Sequence, residues 1–95
     1  MTYPQLSGQK TVTSAGTAVA LGTINPGCSI LVKALETNTD IVALGNDGAD
    51  DVTVSNGYRL APGEVCVFEN VNSLAAIYLD SVVNGEGVSW IKLQA

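Results

Sequence analysis

The segment CSILVKALE, Cys28 to Glu36, alternates with a period of two. Cys28, Ile30, Val32 and Ala34 share one face and Ser29, Leu31, Lys33 and Leu35 the other, because successive side chains of a strand point to opposite sides. Both sets are largely apolar, which predicts a strand covered on both faces, by a second sheet or by a neighbouring subunit. The rest of the chain repeats this in short pieces. KTVTSAG and TAVALG are rich in Thr and Val and end in glycine, and the SAGT between them is placed to close a hairpin. INPG is a turn before the strand at Cys28, and TNTD a turn before DIVALGN. A short strand DVTVS is expected within the polar stretch that follows. Pro62-Gly63 precedes VCVFE, and NVNS precedes LAAIYLD. NGEG precedes VSWIKLQ, with Asn84 and Gly85 where a hairpin needs positive φ. SLAAIY has some helical flavour but is short and runs into β-branched and aromatic residues, so it reads as strand. The expected fold is all-β: a single-domain β-sandwich or jelly-roll-like barrel of about 7–8 short antiparallel strands. Residues 1–8 read as an N-terminal arm and residues 9–95 as the sandwich domain.

Composition adds a reason to expect contact with other proteins. Apolar residues make up 46% of the 95 and charged residues 14%, against a usual charged share of about 25%. So small a domain buries only about 60–65% of its unfolded surface, so burial against a partner adds proportionately more to it. A surface this poor in ions implies that part of it meets protein rather than water. The net charge of −5, with Lys10, Lys33, Arg59 and Lys92 scattered, argues against nucleic acid, which needs clustered bases. No apolar run approaches the roughly 20 residues that span a membrane. MTYPQLSGQK has neither the basic nor the apolar part of a signal peptide, so synthesis in a cytosol is expected.

The residues that carry chemistry are few. Without histidine there is no Ser-His-Asp or Cys-His arrangement and no zinc ligand set. The acids fall mostly in turns, at Asp40, Asp47, Asp50, Asp51 and Glu86, not as a pair across a cleft. GNDGADD lacks the lysine and helix of a phosphate loop. No enzyme, cofactor or metal is expected. Asp47, Asp50 and Asp51 offer the oxygen ligands calcium takes, but their spacing is not that of an EF-hand, and a solvated turn is the favoured reading. Cys28 and Cys66 read as two small apolar strand residues rather than a disulfide. Trp90 reads as core; Tyr58 and Tyr78 are open to a role on a sugar-binding shelf. NGYRLAPGE places a short extended piece, YRLA, between two turns. Its Arg59, the only arginine, is either a bridge to an adjacent subunit or a single solvated charge.

The blocks GQKTVTSAGTAVALGT, VKALETNTDIVALGNDG, VSNGYRLAPGE and IYLDSVVNGEGVSWI, in that order, resemble small structural proteins of tailed phages. They are similar to the β-sandwich modules of phage head-decoration, or capsid cement, proteins. The resemblance covers about Gly8 to Ile91. It implies a virion structural protein, assembled in the host cytoplasm, that binds the outer head surface and stabilises the shell. The major capsid protein and further copies of the chain, as a homotrimer, are the implied partners. Thr2, Tyr3, Pro4, Gln5 and Leu6 are then expected to contact the capsid or a neighbour, with Tyr58 and Arg59 as interface anchors. The alternative is a tail or fibre module for host-surface carbohydrate, which needs Tyr58, Tyr78 or Trp90 exposed.

Overall fold

Apolar residues alternating along short runs, with turns of Gly, Pro, Asn and Asp between them, leave no segment long enough to bury itself as a helix. The computed structural model describes residues 6–45 and 52–93. Among them are eight strands: β1 Ser7–Thr11, β2 Val19–Ala20, β3 Cys28–Ala34, β4 Val42–Leu44, β5 Tyr58–Leu60, β6 Val65–Val71, β7 Tyr78–Ser81 and β8 Gly87–Leu93. They form two four-stranded sheets, sheet A in the order β1-β8-β3-β6 and sheet B in the order β2-β7-β4-β5. Every pairing is antiparallel. The architecture is an all-β sandwich.

The core lies between the sheets. Ile30, Val32, Ala34, Val88 and Trp90 face inward from sheet A, and Val42, Leu44, Leu60 and Leu79 from sheet B. Val12, Leu21, Leu74 and Ile77 close the ends. Each large aliphatic removed from water contributes about 1.5–3 kcal/mol. The predicted inner face of β3 is the buried one, and β6 adds Cys66 and Phe68 to the rim of the same core.

The connections differ from the expected hairpins. The SAGT turn joins β1 in sheet A to β2 in sheet B, and NGEG joins β7 in sheet B to β8 in sheet A. A turn motif specifies a reversal of direction, not the strand that will be the partner. Val12 decides the first case. It is fully buried, its N–H donates to the Glu86 carbonyl (2.8 Å) and its carbonyl accepts from Gly85 (2.7 Å). The β1 ladder is thus continued by β8, and the chain must cross to the other sheet. Gly85 has φ 84°, as expected; Asn84 does not have positive φ. β4 and β5 are the sequential strands that share a sheet.

Three further expectations are corrected. DVTVS is not a strand in its described part: the Asn56 side chain accepts the Thr53 N–H (2.7 Å), and the Thr53 carbonyl accepts from Asn56 and Gly57, which closes a turn. Leu74–Ala76 is a 3-10 turn capped by Ser73, whose Oγ accepts the Ala75 N–H (3.2 Å). The strand begins only at Tyr78. Ser7 and Gly8, assigned to the arm, belong to β1.

Candidate interaction surface

The outer side of sheet A carries large apolar side chains in water. In register across three strands lie Ile91 of β8, Leu31 of β3 and Val67 of β6. Ile91 is 47% exposed and Val67 52%. The next row is Ser89, Lys33 and Val65, and Leu93 lies one row to the other side, opposite Ser29. Val65 and Leu93 are also exposed. A shallow hollow of about 480 Å³ lies here, lined by Gln9, Leu31, Lys33, Ser89 and Ile91 among others. Contiguous exposed apolar surface of this kind marks a site of contact with another molecule. The charge on it is weak. The Lys33 ammonium is paired with Glu36 (2.8 Å), and that exposed pair holds the Glu36 carboxyl below its ordinary pKa.

The outer side of sheet B is covered by the chain itself. Ala43 and Asp80 are cross-strand partners on that side, and both are buried. The turn at 53–57 lies over Ala43: a Cβ built on Gly57 would come within 2.6 Å of Val52 Cγ2 and 2.9 Å of the Ala43 Cβ. The turn after β1 lies over Asp80, whose Oδ1 accepts the N–H groups of Gly16 and Ser81, each at 2.9 Å. Ala15 N–H donates to the Asn84 side chain (2.8 Å) beside it. Among the described residues every buried side-chain nitrogen and oxygen has a partner.

One end of the sandwich is held by a polar clasp. Glu86 accepts the Thr39 N–H (2.6 Å), the Thr39 hydroxyl (2.8 Å) and the Asp40 N–H (3.3 Å). Burial pushes its carboxyl up, and these three donors outweigh that, so its pKa lies below the ordinary 4.5. Asn38 completes the clasp, donating to the Gly87 carbonyl (2.9 Å) and accepting from the Gly87 N–H (3.2 Å). Every member is engaged in joining loops, so the cluster is structural.

The residues singled out from the sequence are not brought together. Thr2, Tyr3, Pro4 and Gln5 lie outside the described residues, as do Asp47, Asp50 and Asp51. Leu6 is exposed, and its carbonyl accepts the Lys92 N–H (2.8 Å), at the β1 side of the sandwich. Tyr58 and Arg59 are on β5, at the far side. Both are exposed, and they point to opposite sides of sheet B: Tyr58 pairs with inward-facing Leu44, Arg59 with outward-facing Ala43. Arg59 has no carboxylate partner among the described residues. Tyr58, 65% exposed, borders a groove of about 800 Å³ between β5 and the outer edge of β6, which Leu44, Gly45 and Val65 to Phe68 also line. Trp90 is 5% exposed and Tyr78 half-buried, so the three rings do not form a shelf.

Cys28 and Cys66 are free, half-buried thiols on the adjacent strands β3 and β6. Burial raises the Cys66 pKa above the ordinary 9.0, which suppresses the thiolate. Among the described residues no cluster of three acids or cysteines is placed to hold a metal. The residues that sequence reasoning missed are Val65, Val67, Ile91 and Leu93. Their signal was the same two-sided alternation read in β3: VCVF and SWIKL are also apolar on both faces. Comparison with family models, curated proteins and solved structures finds no match to this chain.

Proposed function

We propose that the chain is a non-enzymatic structural protein of a virion, a capsid decoration protein that seats the outer face of sheet A on the head surface. The observation that carries this reading is the row Ile91, Leu31 and Val67 with its exposed neighbours Val65 and Leu93, on a sandwich whose other face is covered at its centre, over Ala43 and Asp80, by its own turns. The low charge content and the phage-like order of sequence blocks support the same reading. The mechanism is mass action. A protein that binds the assembled shell and not its dispersed subunits stabilises each occupied site by RT ln(1 + [L]/Kd), about 2.7 kcal/mol at a hundredfold excess over Kd.

The test is reconstitution. Particles lacking the protein are imaged with and without the purified chain and then challenged by heat or low salt. The reading requires density on the head and improved survival, both lost in Ile91→Lys. Particles that stay bare and survive no better overturn it. A carbohydrate module would instead bind glycans through Tyr58, the exposed ring beside the groove, and Tyr58→Ala would abolish that binding.

A further inference from the structure

The outer strands of the two sheets are not equally protected. β2 has two residues and β5 three. β1 is SGQKT, short and polar. β6 has seven residues, VCVFENV, with Val65 and Val67 exposed and neither proline nor lysine. Its outer edge has no strand beside it among the described residues. A long edge whose one charge is Glu69 presents unpaired backbone groups and is a template for another strand.

The hydrogen-bond parity says which groups are presented. Ala34 N–H donates to the Glu64 carbonyl (2.9 Å), while on the other side of β3 Leu35 N–H donates to the Gly87 carbonyl (3.0 Å). With Leu31 opposite Val67 and Lys33 opposite Val65, alternation turns the backbone groups of Cys66 and Phe68 toward β3. Those of Val65, Val67 and Glu69 turn toward the free edge. Asn70, at φ 54°, bends the strand just beyond them.

We propose that β6 pairs antiparallel with β6 of a second copy across a two-fold axis at Val67, joining two four-stranded sheets into one of eight. That register sets Val67 opposite Val67 and Val65 opposite Glu69, so every outward-facing group meets an outward-facing group. It sets Glu69 of the second copy beside Val65, in the row that Lys33 continues one strand further on, so no like charges face each other across the axis. The apolar row Ile91, Leu31, Val67 then continues unbroken into its symmetry mate. The second copy also approaches the mouth of the groove that Tyr58 and Phe68 line. Antiparallel pairing of one edge with itself is isologous and closes at two, so it replaces the ring of three expected from the sequence. Edge pairing alone falls among small interfaces, below about 1,200 Å² in total, so the dimer dissociates on dilution. The pairing is a property of the free chain and does not depend on the capsid reading.

Sedimentation of the purified chain over a dilution series measures this without any particle. A monomer–dimer equilibrium is expected, and Val67→Lys, which sets two ammonium groups face to face, weakens it about tenfold or more. The chain with Val67→Cys, Cys28→Ser and Cys66→Ser forms a covalent dimer on oxidation, because Cα atoms of such a pair lie about 5.5 Å apart. A chain that stays monomeric, a trimer, or a dimer indifferent to Val67→Lys that yields no cross-link overturns the proposal. If Val67→Lys fails to fold by circular dichroism, the cross-link decides alone.

Discussion

The two sheets have the same number of strands and opposite outer faces. Sheet B carries Ala43 and Asp80 on its outer side and covers both with its own turns, at 53–57 and after β1. Sheet A carries Leu31, Val65, Val67, Ile91 and Leu93 on its outer side and covers none of them completely. Exposure of isolated apolar residues is ordinary, but a registered row on one face beside an opposite face whose centre, Ala43 and Asp80, is covered is an asymmetry. The chain has spent its loops on one side. The other side is left at a cost in solubility, and a contact offsets that cost. The two faces should therefore respond differently to substitution: changes under the covers of sheet B cost folding, and changes on the bare face of sheet A cost association.

The largest effect is expected where sheet A is closest-packed, at Gly87. A Cβ there would stand 2.0 Å from the Lys10 carbonyl oxygen and 2.7 Å from the Thr11 Cα. Both obstacles are backbone, so no side chain can swing aside, and β1 would have to leave β8. Gly87→Ala should cost about 3 kcal/mol or more, at the upper end for overpacking. Urea unfolding measures it. A near-neutral result would mean that β1 is not held against β8 as described.

Next comes the cover of sheet B. A methyl at Gly57 meets Val52 Cγ2 at 2.6 Å, the Ala43 Cβ at 2.9 Å and the Leu44 carbonyl oxygen at 3.0 Å. Gly57→Ala should lift the 53–57 turn, expose Ala43 and cost about 1–3 kcal/mol. Hydrogen exchange should report faster opening around Leu44 and Leu60 and little change in β8. Equal loosening of both sheets would erase the distinction between a covered and a bare face.

These two positions show where sequence reading stops. The strands β3, β6 and β8 were legible because CSILVKA, VCVF and VSWIKL are apolar on both faces, but Asn70 and Val71, read as part of the NVNS turn, extend β6. That both faces of β3 are apolar pointed directly at a second contact surface, and the structure leaves that surface open. The sheet assignment was not legible. SAGT and NGEG say that the chain bends, but whether β1 meets β2 or β8 depends on Val12 finding Glu86 far along the chain. The covers of sheet B were hidden for the same reason. Nothing local to Gly16 announces Asp80, and nothing local to Gly57 announces Ala43. Tyr58 and Arg59 stood out as unusual residues, yet neighbours on a strand face opposite ways, and the structure gives them no common target.

The polar clasp gives a smaller, pH-dependent effect that both sheets share. Glu86 has its pKa lowered below the ordinary 4.5 by its hydrogen bonds to Thr39 and Asp40. A depressed folded-state pKa means that the unfolded chain binds the proton more readily. The contribution is therefore complete above the ordinary value and declines as pH falls through 4.5 toward the lowered one. Thermal melts should show this acid loss in the native chain and a flatter acid limb in Glu86→Gln. An unchanged limb would assign the acid sensitivity to other carboxylates.

The smallest effect on folding belongs to the bare face. Ile91→Thr keeps β-branching and shortens a side chain that is already half in water, so stability should change by roughly 0.5 kcal/mol or less. The same substitution removes the outer member of the row that runs through Leu31 to Val67. Solubility should rise, and binding to whatever occupies the face should fall. The pair of readings separates the two roles of an apolar residue. If Ile91→Thr instead destabilised the isolated chain as much as Gly57→Ala does, Ile91 would be working for the fold. The face would then be core in disguise, and the asymmetry between the sheets would carry no functional meaning.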